Sequence, residues 1–171
     1  VRERAHTEVV IAIDGTVRAA LGIADRLRPE ARETVAALRA MGIDVWMMTG
    51  DNEKTARAIG AEAGIVNIIS DVKPDGKAEA IRDMTQRGAR VCMVGDWIND
   101  APALATADVS ISVSTGTDVA AEASGIMLIG GEVRGVPLAL RLSRQTMRVI
   151  RQNLSWALLY NIVCIPVAAA G

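Results

Sequence analysis

Between Pro29 and Ile129, short apolar runs alternate with helix-like stretches, and this alternation constrains the fold of the 171-residue chain more than any other feature. Residues 44–48, 66–69, 90–94, 108–113 and 126–129 read as strands. Pro29 to about Met41, 52–63, 75–87 and a short stretch at 101–105 read as helices, with a helical turn or two at 118–123. Strands that are apolar on both faces and separated by helices form parallel sheets covered on both sides. The fold class expected is therefore α/β, with a Rossmann-like parallel sheet. Ahead of it, β-rich runs at 8–13 and 16–24 flank Asp14-Gly15, a dipeptide suited to a tight hairpin turn.

Half of the residues are hydrophobic, and the excess lies at the C-terminus. Residues 154–171 carry no charged side chain and approach the roughly 20 residues of a membrane span. A transmembrane helix is expected there, and a buried core helix is the alternative. Just before it, Arg141, Arg144, Arg148 and Arg151 recur every three or four residues on one helical face. That pattern matches a cytoplasmic juxtamembrane segment under the positive-inside rule. A net charge of −1 gives no case for a nucleic-acid partner. Cys92 and Cys164 have neither ligand nor disulfide spacing. The chain begins without Met and stops within an apolar run, so a segment of a longer protein is expected.

Three loops that follow strands carry the candidate chemistry. In the first, Thr49-Gly50-Asp51-Asn52, a hydroxyl and a glycine at a helix N-terminus suit phosphate oxygens, although Asp51 or Asn52 could simply cap the helix. The second supplies Lys77. Only three lysines stand against sixteen arginines, and a lysine near a helix start opposes the dipole preference. The third is Gly95-Asp96-Trp97-Ile98-Asn99-Asp100-Ala101-Pro102, which places two carboxylates four residues apart where a strand ends. Mg²⁺ is commonly held by one or two carboxylates together with waters and phosphate oxygens. Together the three loops describe a phosphoryl-transfer site. No preceding strand ends in a nucleophile, because Ala12 stands where an aspartate would be needed and Asp14-Gly15 reads as a hairpin turn.

These motifs, with Pro74 ahead of Lys77 and Thr115-Gly116-Thr117-Asp118, resemble the phosphorylation domain of P-type ATPases of the haloacid dehalogenase superfamily. Asp25-Arg26-Leu27-Arg28-Pro29 is similar to that family's hinge between nucleotide-binding and phosphorylation domains. The basic helix running into Tyr160-Asn161 resembles the membrane helix that follows the domain in copper-like pumps. The resemblance implies an ATP-driven exporter of a soft metal ion, copper or silver above others, with an aspartyl phosphate formed upstream of Val1. The chain alone would then be inactive.

In that scheme Thr49 and Gly50 bind the aspartyl phosphate, beside Asp51, and Lys77 stabilises it. Asp96 and Asp100 hold Mg²⁺, supported by Asn99. Asp25 and Arg28 serve the nucleotide, ATP, and Tyr160 with Asn161 contacts the transported ion. Residues 1–24 would be the last hairpin of the nucleotide-binding domain and 25–29 the hinge. The phosphorylation domain would occupy 30–137, a basic juxtamembrane helix 138–153, and a membrane helix 154–171. The implied partners are ATP, the metal ion, the lipid membrane and the pump's other domains. The implied location is a membrane, with most of this segment cytoplasmic. A soluble phosphatase of the same superfamily, or a regulatory pump-like domain with an impaired Mg²⁺ site, are the alternatives. The second arises from Trp97, where the family usually has Gly; if position 97 needed a positive φ, a Trp would strain the loop.

Overall fold

The computed structural model describes residues 7–23, 27–114 and 125–171, with the side chains of 7–9, 22, 23, 74, 97–99 and 114 left aside. Two strands, β1 (Thr7–Ile13) and β2 (Thr16–Ile23), pair antiparallel around Asp14 and Gly15. Both turn residues have positive φ, 52° and 75°. Turns of that kind match the right-handed twist of the strands they join. The hairpin expected from Asp14-Gly15 is therefore present, and Ala12 lies within an antiparallel ladder instead of ending a catalytic strand.

From Ala31 the chain alternates as its hydrophobic pattern requires. The order is α1 (Ala31–Ala40), β3 (Trp46–Met48), α2 (Glu53–Ala63), β4 (Asn67–Ile69), α3 (Pro74–Gln86), β5 (Cys92–Gly95), α4 (Trp97–Thr106), β6 (Val109–Ser114) and β7 (Ile126–Ile129). Every pairing among β3 to β7 is parallel. Among the described residues the strands form two pieces, β3–β4 and β5–β6–β7. One core nevertheless serves both. Ile81 of α3, Met93 of β5, and Ala103 and Leu104 of α4 form a buried cluster, against which Met48 of β3 also packs. Ile81 and Ile111 are fully buried. Burial of such side chains contributes about 1.5–3 kcal/mol each, which is why the short strands hold their places.

One boundary differs from expectation in a way that matters for the site. The stretch expected to be a loop up to Pro102 is instead largely helical, with α4 beginning at Trp97. The Asp100 N–H donates to the Asp96 carbonyl at 3.0 Å, closing a helical turn ahead of Pro102. Pro102 therefore falls inside α4, where it donates no hydrogen bond and its ring crowds the preceding turn. Position 97 consequently has helical backbone and is not among the positive-φ residues. The strain foreseen for Trp97 does not arise.

Residues 7–134 lie in one compact unit, and α5 (Gly135–Ala169) begins a second. The helix α5 is long and apolar enough to cross a membrane, and its most apolar window is not buried. The helical turns expected at 118–123, and the motif at 115–118, lie outside the described residues.

Candidate phosphoryl-transfer site

The Thr49–Asn52 loop leaves the C-terminal end of β3 and is braced from both sides. Thr49 N–H donates to the Ile69 carbonyl at 3.0 Å, and Val72 N–H donates to the Thr49 carbonyl at 3.1 Å. Inside the loop, the Thr49 hydroxyl donates to Asp51 Oδ2 at 2.9 Å while its oxygen accepts from Asp51 N–H at 3.1 Å. Asn52 is the N-cap of α2, its Oδ1 accepting from Thr55 N–H at 3.0 Å. The capping role left open between Asp51 and Asn52 therefore falls to Asn52. Asp51 instead orients the Thr49 hydroxyl. Sequence reasoning passed over Asp71, which adopts φ 55° and donates its N–H to the Asp51 carbonyl at 2.9 Å. A non-glycine residue in that region is uncommon, and here it closes the base of the loop.

Lys77 stands in the first turns of α3, and its Nζ lies 2.6 Å from Asp100 Oδ1. Both side chains are largely buried, at 19% and 12% exposure. An ammonium near a helix N-terminus faces an unfavourable dipole, and the Asp100 carboxylate supplies the opposing charge. The pair joins two residues that are 23 positions apart. It brings together two of the three loops singled out from sequence.

The place of Asp100 also explains Gly95. A β-carbon on Gly95 would meet Asp100 Oδ2 at 2.5 Å and Asp100 Cβ at 2.9 Å. The aspartate folds back over the last residue of β5, and only a glycine leaves room for it. Asp96 occupies the N-cap position of α4, but its exposed side chain makes no capping bond. The donor set is thus one anchored and one exposed carboxylate, four residues apart at a strand end. Hard oxygens in that number suit Mg²⁺, which keeps several waters and takes its remaining ligands from a phosphorylated substrate. The residues fit the ion, with Asp96 and Asp100 as those that would hold it. No group of three or more His, Cys, Asp or Glu gathers among the described residues.

The remaining expected residues divide between those the structure describes and those it does not. Arg28 Nη1 donates to the Gly131 carbonyl, tying the segment before α1 to the connection that follows β7. Asp25 and the side chain of Asn99 lie outside the described residues. Tyr160 and Asn161 are exposed on α5, with Cys164 on the same helix. Cys92 is exposed on β5, and partial desolvation pushes its thiol up from its ordinary value.

Known proteins resemble this chain in sequence and fold. A family model described as haloacid dehalogenase-like hydrolase matches residues 1–108. Over 165 residues the chain is 49% identical to the copper-exporting P-type ATPase of Bacillus subtilis (strain 168), covering 96% of this chain and 21% of that protein. It is 50% identical over 163 residues to the probable copper-transporting ATPase PacS of a Synechocystis species, covering 95% of this chain and 22% of that protein. A solved structure of a zinc-transporting PIB-type ATPase in its E2.Pi state superposes with a TM-score of 0.80 at 32% identity, over 98% of this chain and 27% of that one. The chain thus spans about a fifth of the length of the curated relatives it matches. With the family model covering well over half of its residues, the chain belongs to the haloacid dehalogenase-like hydrolase family, and it is similar along nearly its whole length to one segment of metal-transporting P-type ATPases.

Proposed function

We propose that this chain is the phosphorylation-domain segment and following membrane helix of a pump that uses ATP to export a soft metal ion, copper or silver. The observation that carries the reading is the Lys77–Asp100 pair, set at the C-terminal end of β5 in a chain about half identical to copper exporters. Phosphoryl transfer asks the protein mainly for positioning and charge. The Gly50 N–H binds a phosphoryl oxygen, and the Thr49 hydroxyl does so by turning its proton away from Asp51 Oδ2. Lys77 neutralises charge that builds on the transferred group, and Asp100 fixes its ammonium in place. Asp96 and Asp100 would hold Mg²⁺, which supplies further charge stabilisation at the phosphate. Asn99 supports that site, Asp25 and Arg28 serve the nucleotide, and Tyr160 with Asn161 meets the ion.

The acceptor aspartate comes from another part of the same pump. Among the described residues β3 and β5 are not paired although Met48 and Met93 share one core, and a strand carrying that aspartate would join the two sheet pieces. The hairpin geometry at Asp14 disfavours a self-contained soluble phosphatase. The test uses membrane vesicles holding the full-length protein that carries this chain. Copper-stimulated formation of a hydroxylamine-sensitive phosphoenzyme from ATP, together with ATP-dependent copper uptake, is expected. Vesicles that contain the protein yet form no acyl phosphate with copper or silver would overturn the reading.

A further inference from the structure

Helix α5 carries four arginines and no acidic residue, and Glu132 is the last carboxylate side chain before the end of the chain. At 3.6 residues per turn, Arg141, Arg144, Arg148 and Arg151 fall within an arc of about 80°. All four are exposed. Among the described residues Arg141, Arg148 and Arg151 have no ion-pair partner within the chain. On the same face a shallow open depression is lined by Ser143, Arg144, Met147, Arg148 and Arg151. A stripe that only oriented a membrane helix would need no shared face, because orientation depends on charge count near the span.

We propose that this depression binds the head group of an anionic phospholipid, with Arg148 and Arg151 holding the phosphate. The site rests on reading α5 as a membrane span. Height along the helix favours a lipid over a free phosphate. With a rise of 1.5 Å per residue and a span starting near Leu154, Arg151 stands about 4–5 Å and Arg148 about 9 Å above the hydrocarbon. The polar layer on each side is roughly 5–7 Å deep, and an arginine side chain snorkels several ångströms further. Arg144 and Arg141 stand about 15 and 20 Å above the hydrocarbon, beyond one Debye length at physiological salt, and add attraction mainly at low salt. Basic clusters beside a membrane helix attract acidic lipids by charge.

The experiment reconstitutes the full chain into phosphatidylcholine vesicles and measures its motionally restricted shell with spin-labelled phosphatidylglycerol and spin-labelled phosphatidylcholine. Each arginine within reach is worth about a factor of five at low salt. The wild-type chain is expected to prefer phosphatidylglycerol severalfold, less so as salt rises. The double variant Arg148→Gln, Arg151→Gln loses most of that preference. Arg148→Lys with Arg151→Lys keeps it, and so does the charge-matched control Arg57→Gln with Arg82→Gln on the other unit. Incorporation with equal shells for both lipids, or a preference that the Gln variant leaves unchanged, overturns the lipid site alone. Absence of any restricted lipid, of either kind, overturns the membrane span and the lipid site with it.

Discussion

The unit that carries Lys77 and Asp100 and the helix α5 treat apolar residues in opposite ways. In the first, Ile81, Ile111 and Leu104 are 0–1% exposed and form the ground on which charged groups are fixed. In the second, Leu154, Trp156, Leu158, Ile162 and Ile165 are each 59% exposed or more. Leaving apolar surface uncovered by protein forfeits about 25 cal/mol for every Å² in water, and α5 is long and apolar enough to place that surface in a membrane instead. The site unit is organised for water outside and a dry core inside. The helix is organised for an apolar exterior, and its arginines gather at one end, where that exterior would meet water.

The comparison predicts that chemistry and membrane insertion can be broken separately. Asp100→Asn in the full-length pump should lower phosphoenzyme formation on the order of 10²–10³-fold, since both the partner of Lys77 and one carboxylate of the site are altered. Resistance to carbonate extraction should be unchanged, because α5 is untouched. Loss of both together in one variant would show that the two regions do not act independently.

Packing should separate in the same way. Ile81→Ala empties a fully buried position beside Met93 and Leu104 and should destabilise the site unit by about 2–5 kcal/mol. Leu158→Ala removes an exposed side chain from α5 and should shift the same transition by no more than about 0.5 kcal/mol. Denaturant unfolding in detergent, followed by near-ultraviolet circular dichroism, reads both. Equal shifts would mean that α5 contributes to the core of the site unit.

Gly95→Ala sharpens the account of the site itself. The added carbon would sit 2.5 Å from Asp100 Oδ2 and 2.9 Å from its Cβ, so the aspartate must move. A loss of about 1–3 kcal/mol in stability is expected, with about a tenfold fall in phosphoenzyme that is partly recovered at higher Mg²⁺. Wild-type behaviour in this variant would mean that Asp100 does not need the position over β5.

The alternation of apolar runs and the Asp14-Gly15 turn made the elements legible from sequence, because local backbone preference and burial pattern act over a few residues. Lys77 stood out as a rare lysine at an unfavourable helix position, and its structural answer is Asp100. Their pairing was not legible, since nothing local joins residues 23 apart. The start of α4 was misjudged for a related reason. Pro102 is a common first-turn residue, and only the Asp100–Asp96 hydrogen bond reveals that the helix had already begun. The need for glycine at 95 is likewise a long-side-chain effect that appears only once Asp100 is placed.

That earlier helix start changes what Trp97 means, and the smallest prediction follows from it. In a loop needing positive φ, Trp97→Gly would relieve strain and raise phosphoenzyme levels. In the first turn of α4, where the backbone is helical, glycine removes no strain and adds chain entropy to the unfolded state. The expected cost is at most about 1 kcal/mol in stability, with phosphoenzyme levels staying within about twofold of the parent because so small a loss barely changes the folded fraction. Both quantities come from the same full-length preparations used for Asp100→Asn. A severalfold rise in phosphoenzyme would mean that the indole obstructs the site through its bulk. An unchanged level would place Trp97 with the tolerated residues of the helix and leave Lys77, Asp96 and Asp100 to set the rate.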